Sequence, residues 1–137
     1  LLTNMILLKK LEKIFKMNTI AVVGMSPKIE RPSHYVSQYM IENGFEIIPV
    51  NPGHNTIAGL KSYPSLDKIP KKVDIVNVFR RSKFVESIAK DAVEINAKVL
   101  WLQDGVIDLE SGKFAEDAGL IVVMNDCILR QHLQLKH

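Results

Sequence analysis

A chain of 137 residues has room for one domain with a full sheet covered on both faces, and 47% hydrophobic with 24% charged residues is ordinary for a globular protein. The formal charge of +3 favours an anionic small molecule, but no Lys/Arg cluster interleaved with aromatics points to nucleic acid. The single cysteine, Cys127, excludes an internal disulfide framework and suits a reducing cytoplasm, and no apolar run approaches membrane-spanning length.

The first predicted element is an amphipathic helix over 1–17. Its positive charges follow its short apolar stretch, the reverse of a secretory signal. Leu7, Leu11 and Ile14 share one face with Leu8 and Phe15, while Lys9, Lys10, Lys13 and Lys16 occupy much of the rest. Such a helix is expected to pack on its own domain, or on a second copy or partner protein; a membrane surface is the alternative. The remainder, 18–137, reads as one domain with no internal repeat, linker or low-complexity tract.

Five strands are predicted, at 19–23, 45–50, 73–79, 98–102 and 119–124. They are short, β-branched and nearly continuous in apolar residues, which means burial on both faces and hence a parallel sheet. Helices are expected between them: one capped by Ser33 and ended by Gly44, one capped by Ser82, and a shorter one from Ser111 to Ala118. Residues 49–72, with four prolines, read as a loop containing a short helix after Ser65. Alternating strand and helix predict a doubly wound α/β fold with helices on both faces.

Ligands of such folds bind beyond the carboxyl ends of the strands, where neighbouring connections diverge to opposite faces. The segments at that edge are 24–33, 51–53, 80–83, 103–105 and 125–127. Gly24 opens like a dinucleotide-binding turn, yet the G-x-G-x-x-G spacing fails at Ser26 and Ile29, and Asn51 stands where a ribose-binding acid is expected. What remains suits phosphate. Gly24 lets the backbone come close, Ser26 offers a hydroxyl and an N–H, Ser33 lies at a helix N-terminus, and Lys28 and Arg31 reach phosphate oxygens. Arg80, Arg81 and Lys83 add charge from the next strand exit.

Six ordered stretches, "VVGMSPKIERPSHYV", "IIPVNP", "YPSL", "VDIVNVFRR", "WLQDG" and "AGLIVVMNDCI" with a following histidine, resemble the small bacterial and archaeal CoA-binding proteins. Their single Rossmann-like domain is similar to the CoA-binding domain of the succinyl-CoA synthetase α subunit. The resemblance runs from Thr19 to His132. It implies five parallel strands in the order 2-1-3-4-5 and coenzyme A, free or acylated, as the ligand. The phosphate turn would be made by Gly24, Met25, Ser26, Lys28, Arg31 and Ser33. Asn51, Pro52, Phe79, Arg80, Trp101, Gln103 and Gly105 would line the rest of the cleft. One departure stands out: Asn125-Asp126-Cys127 replaces the family's Asp-Arg-Cys, so a cation is lost and an anion gained.

His34, His54, His132 and His137 are too scattered for a metal site, and no Ser-His-Asp set can be assembled. Cys127 reads first as a structural cysteine and second as a candidate redox thiol. The expectation is therefore a cytoplasmic CoA-binding module rather than an enzyme on its own. The alternatives are an NAD(P)-binding enzyme or redox sensor, and an interaction module with a vestigial pocket.

Overall fold

The computed structural model describes residues 2–136; Leu1 and His137, the outer ends of the two expected segments, lie outside the described residues. The elements in chain order are α1 Leu2–Ile14, β1 Thr19–Val23, α2 Pro32–Glu42, β2 Glu46–Val50, β3 Thr56–Ile57, β4 Leu60–Lys61, β5 Ile75–Val78, α3 Val85–Glu94, β6 Val99–Leu102, α4 Leu109–Asp117, β7 Ile121–Val123 and α5 Ile128–Lys136. Five strands form one parallel sheet in the order β2-β1-β5-β6-β7. That is the expected 2-1-3-4-5 order once the short antiparallel ribbon β3-β4 is set aside. The ribbon was not foreseen. It sits inside the proline-rich segment, and its turn places Ala58 and Gly59 at positive φ.

The continuous apolar strands are buried as their pattern requires. Every residue of β1, β5 and β6 is buried, and the two faces feed separate cores. On one face Leu66, Val85, Ile88, Ala89 and Ala115, from the 3₁₀ turn Leu66–Lys68 and from α3 and α4, cover Val76, Val78, Leu100 and Leu102. On the other, Leu11 and Ile14 of α1, Val36 and Met40 of α2 and Ile128 of α5 cover Ile20, Val22, Ile75 and Val99. The amphipathic N-terminal helix thus docks on its own domain, with Leu2, Met5 and Ile6 left exposed. Lys10 Nζ donates to the Val122 carbonyl at 3.0 Å, so α1 also covers part of the open edge of β7. No helix among the described residues is long and apolar enough to cross a membrane.

Three helix starts differ from expectation, each for a local reason. α2 begins at Pro32, whose fixed φ and missing N–H suit the first helical position, so Arg31 and not Ser33 is the N-cap. Ser82 opens a 3₁₀ turn and accepts a hydrogen bond from the Ile107 N–H instead of capping α3. Asp108 caps α4 by accepting from both the Ser111 N–H and hydroxyl, so that helix starts two residues earlier. α5 was not predicted at all.

α5 is fastened to α1 and α2 by a histidine in an aromatic nest. His132 stands edge-on to Phe15, Tyr39 and Phe45, and its Nδ1 shares a hydrogen bond with the Tyr39 hydroxyl at 2.8 Å. Burial, and then the nearby Lys136 ammonium, hold the imidazole below its ordinary pKa, so the folded protein favours the neutral ring. As pH falls below about 6.5 the unfolded chain gains a proton that the native site resists, and stability declines; above that it is fully present. Thermal unfolding should therefore show a falling midpoint between pH 7.5 and 5.5. His132→Gln, although less stable at neutral pH, should flatten that slope. An unchanged slope in the variant would remove His132 as its cause.

Candidate functional site

β1 and β5 are neighbours, but α2 leaves β1 toward one face and α3 follows β5 on the other. The crevice this leaves at their carboxyl ends is where the chain's uncommitted polar groups collect. Gly24, the first residue past β1, has φ +89°, and a Cβ there would lie 2.8 Å from Arg80 Cδ and 3.1 Å from the Phe79 carbonyl oxygen. Glycine is thus required twice over: by backbone conformation and by the close passage of the β5 exit.

The turn beyond Gly24 is held in shape by its own side chains. Ser33 Oγ accepts from the Ser26 N–H at 2.9 Å, Ser26 Oγ accepts from the Lys28 N–H at 3.1 Å, and His34 Nδ1 bonds the Ser26 carbonyl at 2.9 Å. Asn51, arriving from β2, donates Nδ2 to the Met25 carbonyl at 3.0 Å and accepts from the Gly53 N–H at 2.8 Å. The Ser26 N–H expected to face a ligand is therefore engaged within the turn. Each of the two serine hydroxyls has accepted one bond and keeps its own proton to donate. Lys28 and Arg31 are exposed, and their side chains have no hydrogen-bond or ion-pair partner among the described residues.

Gly24, Ser26, Pro27, Lys28, Arg31 and Ser33, with Asn51, His54 and Phe79, line an open cleft of about 630 Å³. A second lobe of about 430 Å³ continues from it across Pro32 and Phe79, which line both. Its walls are Tyr35 and Val36 of α2, Arg80 and Arg81, the β6 exit Gln103–Val106, and Cys127 and Leu129 at the start of α5. Gln103 is buried and donates Nε2 to Asn77 Oδ1 at 2.6 Å, which ties the floor of this lobe across β5 and β6.

A smaller hollow of about 190 Å³ opens on the α3 side, lined by Pro52, Pro64, Ser65, Arg80, Phe84, Ser87 and Asp91 among others. The Arg80 guanidinium rests 4.1 Å from the Phe84 ring centroid, so it stands between the second lobe and this hollow rather than in the first cleft.

Two of the expected lining residues do not present side chains to the groove. Trp101 is fully buried: it is a central residue of β6, packs 6.2 Å from Phe15, and donates Nε1 to the Asp126 carbonyl at 2.9 Å. Met25 is 1% exposed and belongs to the same core, and only its carbonyl takes part in the turn. Pro52 faces the small hollow, not the main cleft. Conversely, Tyr35, Val36, His54 and Leu129 line the groove without having been foreseen. Pro32, Tyr35 and Val36 sit three and four apart, the spacing that puts residues on one helix face, and that signal was available.

The segment after β7, where the sequence departs from the expected Asp-Arg-Cys, is tied down by its own polar side chains. Asn125, at φ +56°, accepts from the Gly105 N–H at 2.7 Å and so joins the β6 and β7 exits. Asp126 sits at the amino end of α5, accepting from the Cys127 N–H at 2.8 Å and from Gln131 Nε2 at 2.9 Å. One turn on, Arg130 reaches back in a bidentate pair with Asp104, at 2.8 and 3.0 Å, and to Asp126 at 2.9 Å. The hydrogen bond from Arg130 holds the Asp104 carboxyl below its usual range, and the two carboxylates push the guanidinium pKa up.

Comparison with known proteins gives the family of the chain that carries this groove. The profile of the CoA binding domain family CoA_binding_2 matches residues 18–132. The chain belongs to the CoA-binding domain family. This CoA-binding domain is 42% identical over 117 residues to the "Uncharacterized protein YneT" of Bacillus subtilis, spanning 85% of the chain and 87% of that protein. It is 30% identical over 109 residues to "Acetate--CoA ligase [ADP-forming] II" of Archaeoglobus fulgidus, covering 78% of the chain but only 15% of the ligase. A solved "hypothetical protein from Pyrococcus horikoshii OT3" superposes with TM-score 0.90 at 37% identity over 94% of this chain and 91% of that one. The Rossmann-like fold and a relation to acetate–CoA ligases over 78% of the chain are thereby given.

Gly24→Ala tests the turn directly. The substitution forces a left-handed backbone and drives Arg80 and Phe79 aside, and it should lower stability by about 1–3 kcal/mol. Urea unfolding measures it, and a cost under a few tenths of a kcal/mol would show that the β1 and β5 exits are not in such close contact.

Proposed function

We propose that this domain binds coenzyme A, free or acylated, along the groove, with its phosphates at the Gly24–Ser33 turn. The observation that carries the proposal is the asymmetry of the groove. One lobe joins two uncommitted cations, two hydroxyl donors and the N-terminus of α2, while the lobe continuous with it is lined largely by Tyr35, Val36, Phe79, Val106 and Leu129. An anionic head on a long, uncharged arm fits that asymmetry. Lys28 and Arg31 neutralise phosphate oxygens, Arg31 bidentately, and Ser26 and Ser33 donate their hydroxyl protons.

The arm then crosses the β5, β6 and β7 exits. The last strand lies three spacings from β1, roughly 14 Å at about 4.8 Å each, within reach of a pantetheine comparable to four or five extended residues. Its thiol end comes to rest beside Cys127, the candidate redox thiol. The adenine ring suits the hollow under Arg80, where Pro52, Pro64 and Phe84 offer flat faces and Ser65 and Ser87 offer hydrogen bonds.

Binding without chemistry of its own is the reading we favour. His34 and His132 are engaged with the Ser26 carbonyl and the Tyr39 hydroxyl, and Ser26 and Ser33 are engaged with the turn. A reducing, cytoplasmic setting accords with the single thiol.

Arg31→Ala should weaken CoA binding by about 1.5–3 kcal/mol, the range for a charge-assisted hydrogen bond. The loss should shrink as salt is raised, since the lost contact is partly ionic. Calorimetric titration at low and moderate salt reads both effects. Equal affinities for the variant and the parent would take Arg31, and with it the phosphate turn, out of the site.

A further inference from the structure

The phosphate lobe holds a third basic side chain besides Lys28 and Arg31. His54 follows the β2 exit and lines the same cleft as those two cations. Asn51 fixes its place relative to the turn after β1. The Asn51 side chain bonds the Met25 carbonyl and the Gly53 N–H, and the Asn51 carbonyl accepts from the His54 N–H at 3.4 Å. His54 is exposed, and its ring has no hydrogen-bond partner among the described residues.

The charged groups that line the cleft with it have one sign. Among the described residues no carboxylate lines it. From the β1 turn come Lys28 and Arg31, while Glu30 of the same turn is exposed and lies outside the lining. From α2 comes His34, buried behind the turn with its Nδ1 donating to the Ser26 carbonyl. From the β5 exit, Phe79 lines the cleft and Arg80 turns away to Phe84. On the ribbon that follows the loop, Lys61 lies over the Tyr63 ring. An imidazolium at this position therefore finds only like charge on the cleft wall until an anion enters, and a bound phosphate supplies the opposite sign.

We propose that His54 is a third phosphate-binding side chain, acting as the imidazolium, so that the ligand binds together with a proton. The proposal rests on the CoA-binding reading above and adds a residue and a pH dependence to the same site. Histidine is the side chain whose ordinary titration lies nearest neutrality, so a phosphate beside it draws a proton from solvent at small cost. That proton comes from the buffer and sits on the ring nitrogen that donates to a phosphate oxygen. By linkage, affinity rises as pH falls through the neutral range. It levels off once His54 is protonated both with and without ligand.

Dephospho-CoA is the cleanest probe, because its pyrophosphate has no ionisation near neutrality and any proton taken up is the protein's. Calorimetric titration of the intact chain near neutral pH, in two buffers of different protonation enthalpy and neither of them a phosphate, reads the proton number. About half a proton per ligand should be taken up, and affinity should rise about fivefold from pH 8 to pH 6, the scale of a one-unit coupling. In His54→Gln the uptake should fall to near zero and the affinity become level with pH. At pH 8 the variant should bind within about twofold of the parent, since little imidazolium is present there. CoA should show the same difference between parent and variant, because its own monoester, ionising near about pH 6, contributes to both. Binding without proton uptake would overturn the proposal while leaving CoA binding intact. So would uptake that persists in His54→Gln, which would assign the proton to His34 or to His132 in its aromatic nest. Absence of binding by both ligands would overturn the CoA reading, and this inference with it.

Discussion

The contact on which the rest depends is the one between the first turn and the β5 exit. Gly24 passes so close to Phe79 and Arg80 that no side chain fits between them, and it does so in a left-handed conformation. That closeness follows from the sheet order, since β1 and β5 lie side by side while the chain leaves them toward opposite faces. The crevice opens only because the backbone there has been brought so near the next strand. The Asn51–Met25 and Ser33–Ser26 bonds then fix the turn against β2 and α2 before any ligand arrives. A turn held in this way loses little conformational freedom on binding, which is how a short loop can act as an anion site.

Two layers of polar commitment separate structure from recognition in this domain. Inside, buried polar side chains are satisfied within the protein: Gln103 donates to the Asn77 side chain, and Ser37 donates to the Ser33 backbone carbonyl at 2.6 Å. Such pairs stabilise the strand ends and leave nothing for a ligand. Outside, the Lys28 and Arg31 side chains have no partner among the described residues at one end of the groove, while Arg130 holds both Asp104 and Asp126 at the other. Where the resemblance leads one to expect Asp-Arg-Cys, this chain has an acid at 126 paired with an arginine at 130. The Asp126 carboxylate accepts from the Cys127 N–H at the start of α5, and Arg130, one helical turn on, balances its charge.

The sheet was legible because β1, β5 and β6 are unbroken runs of branched apolar residues, a pattern that only burial on both faces explains. The strand order came from the resemblance, since periodicity alone cannot order strands. What went unread has physical causes. Ser33 and Ser82 looked like caps because serine favours that role, but Pro32 took the first helical position and Ile107 took the Ser82 hydroxyl. α5 is short and docks through Ile128, Leu129 and the histidine of the aromatic nest, while Leu133 and Leu135 stay exposed, so its leucines do not mark the buried face. Trp101 was assigned to the cleft from its neighbours in "WLQDG", yet it lies inside β6, a strand buried on both faces, and its side chain falls in the core with Phe15 rather than past the strand end. The turn residues Gly24, Ser26, Lys28, Arg31 and Ser33 do lie together, because they are adjacent in sequence and need no long-range packing to meet.

If the groove is built for a ligand with a phosphorylated ribose on a pyrophosphate and a long uncharged arm, it should tell CoA from a nicotinamide dinucleotide of similar size. Thermal shift with CoA, NADPH and NADH at matched concentrations asks this of the intact chain in one experiment. A ligand at a hundred times its dissociation constant adds about 2.7 kcal/mol of stability. The account predicts the largest rise in midpoint with CoA, a smaller one with NADPH, which shares the extra phosphate, and the least with NADH. A rise with NADH equal to that with CoA would contradict it.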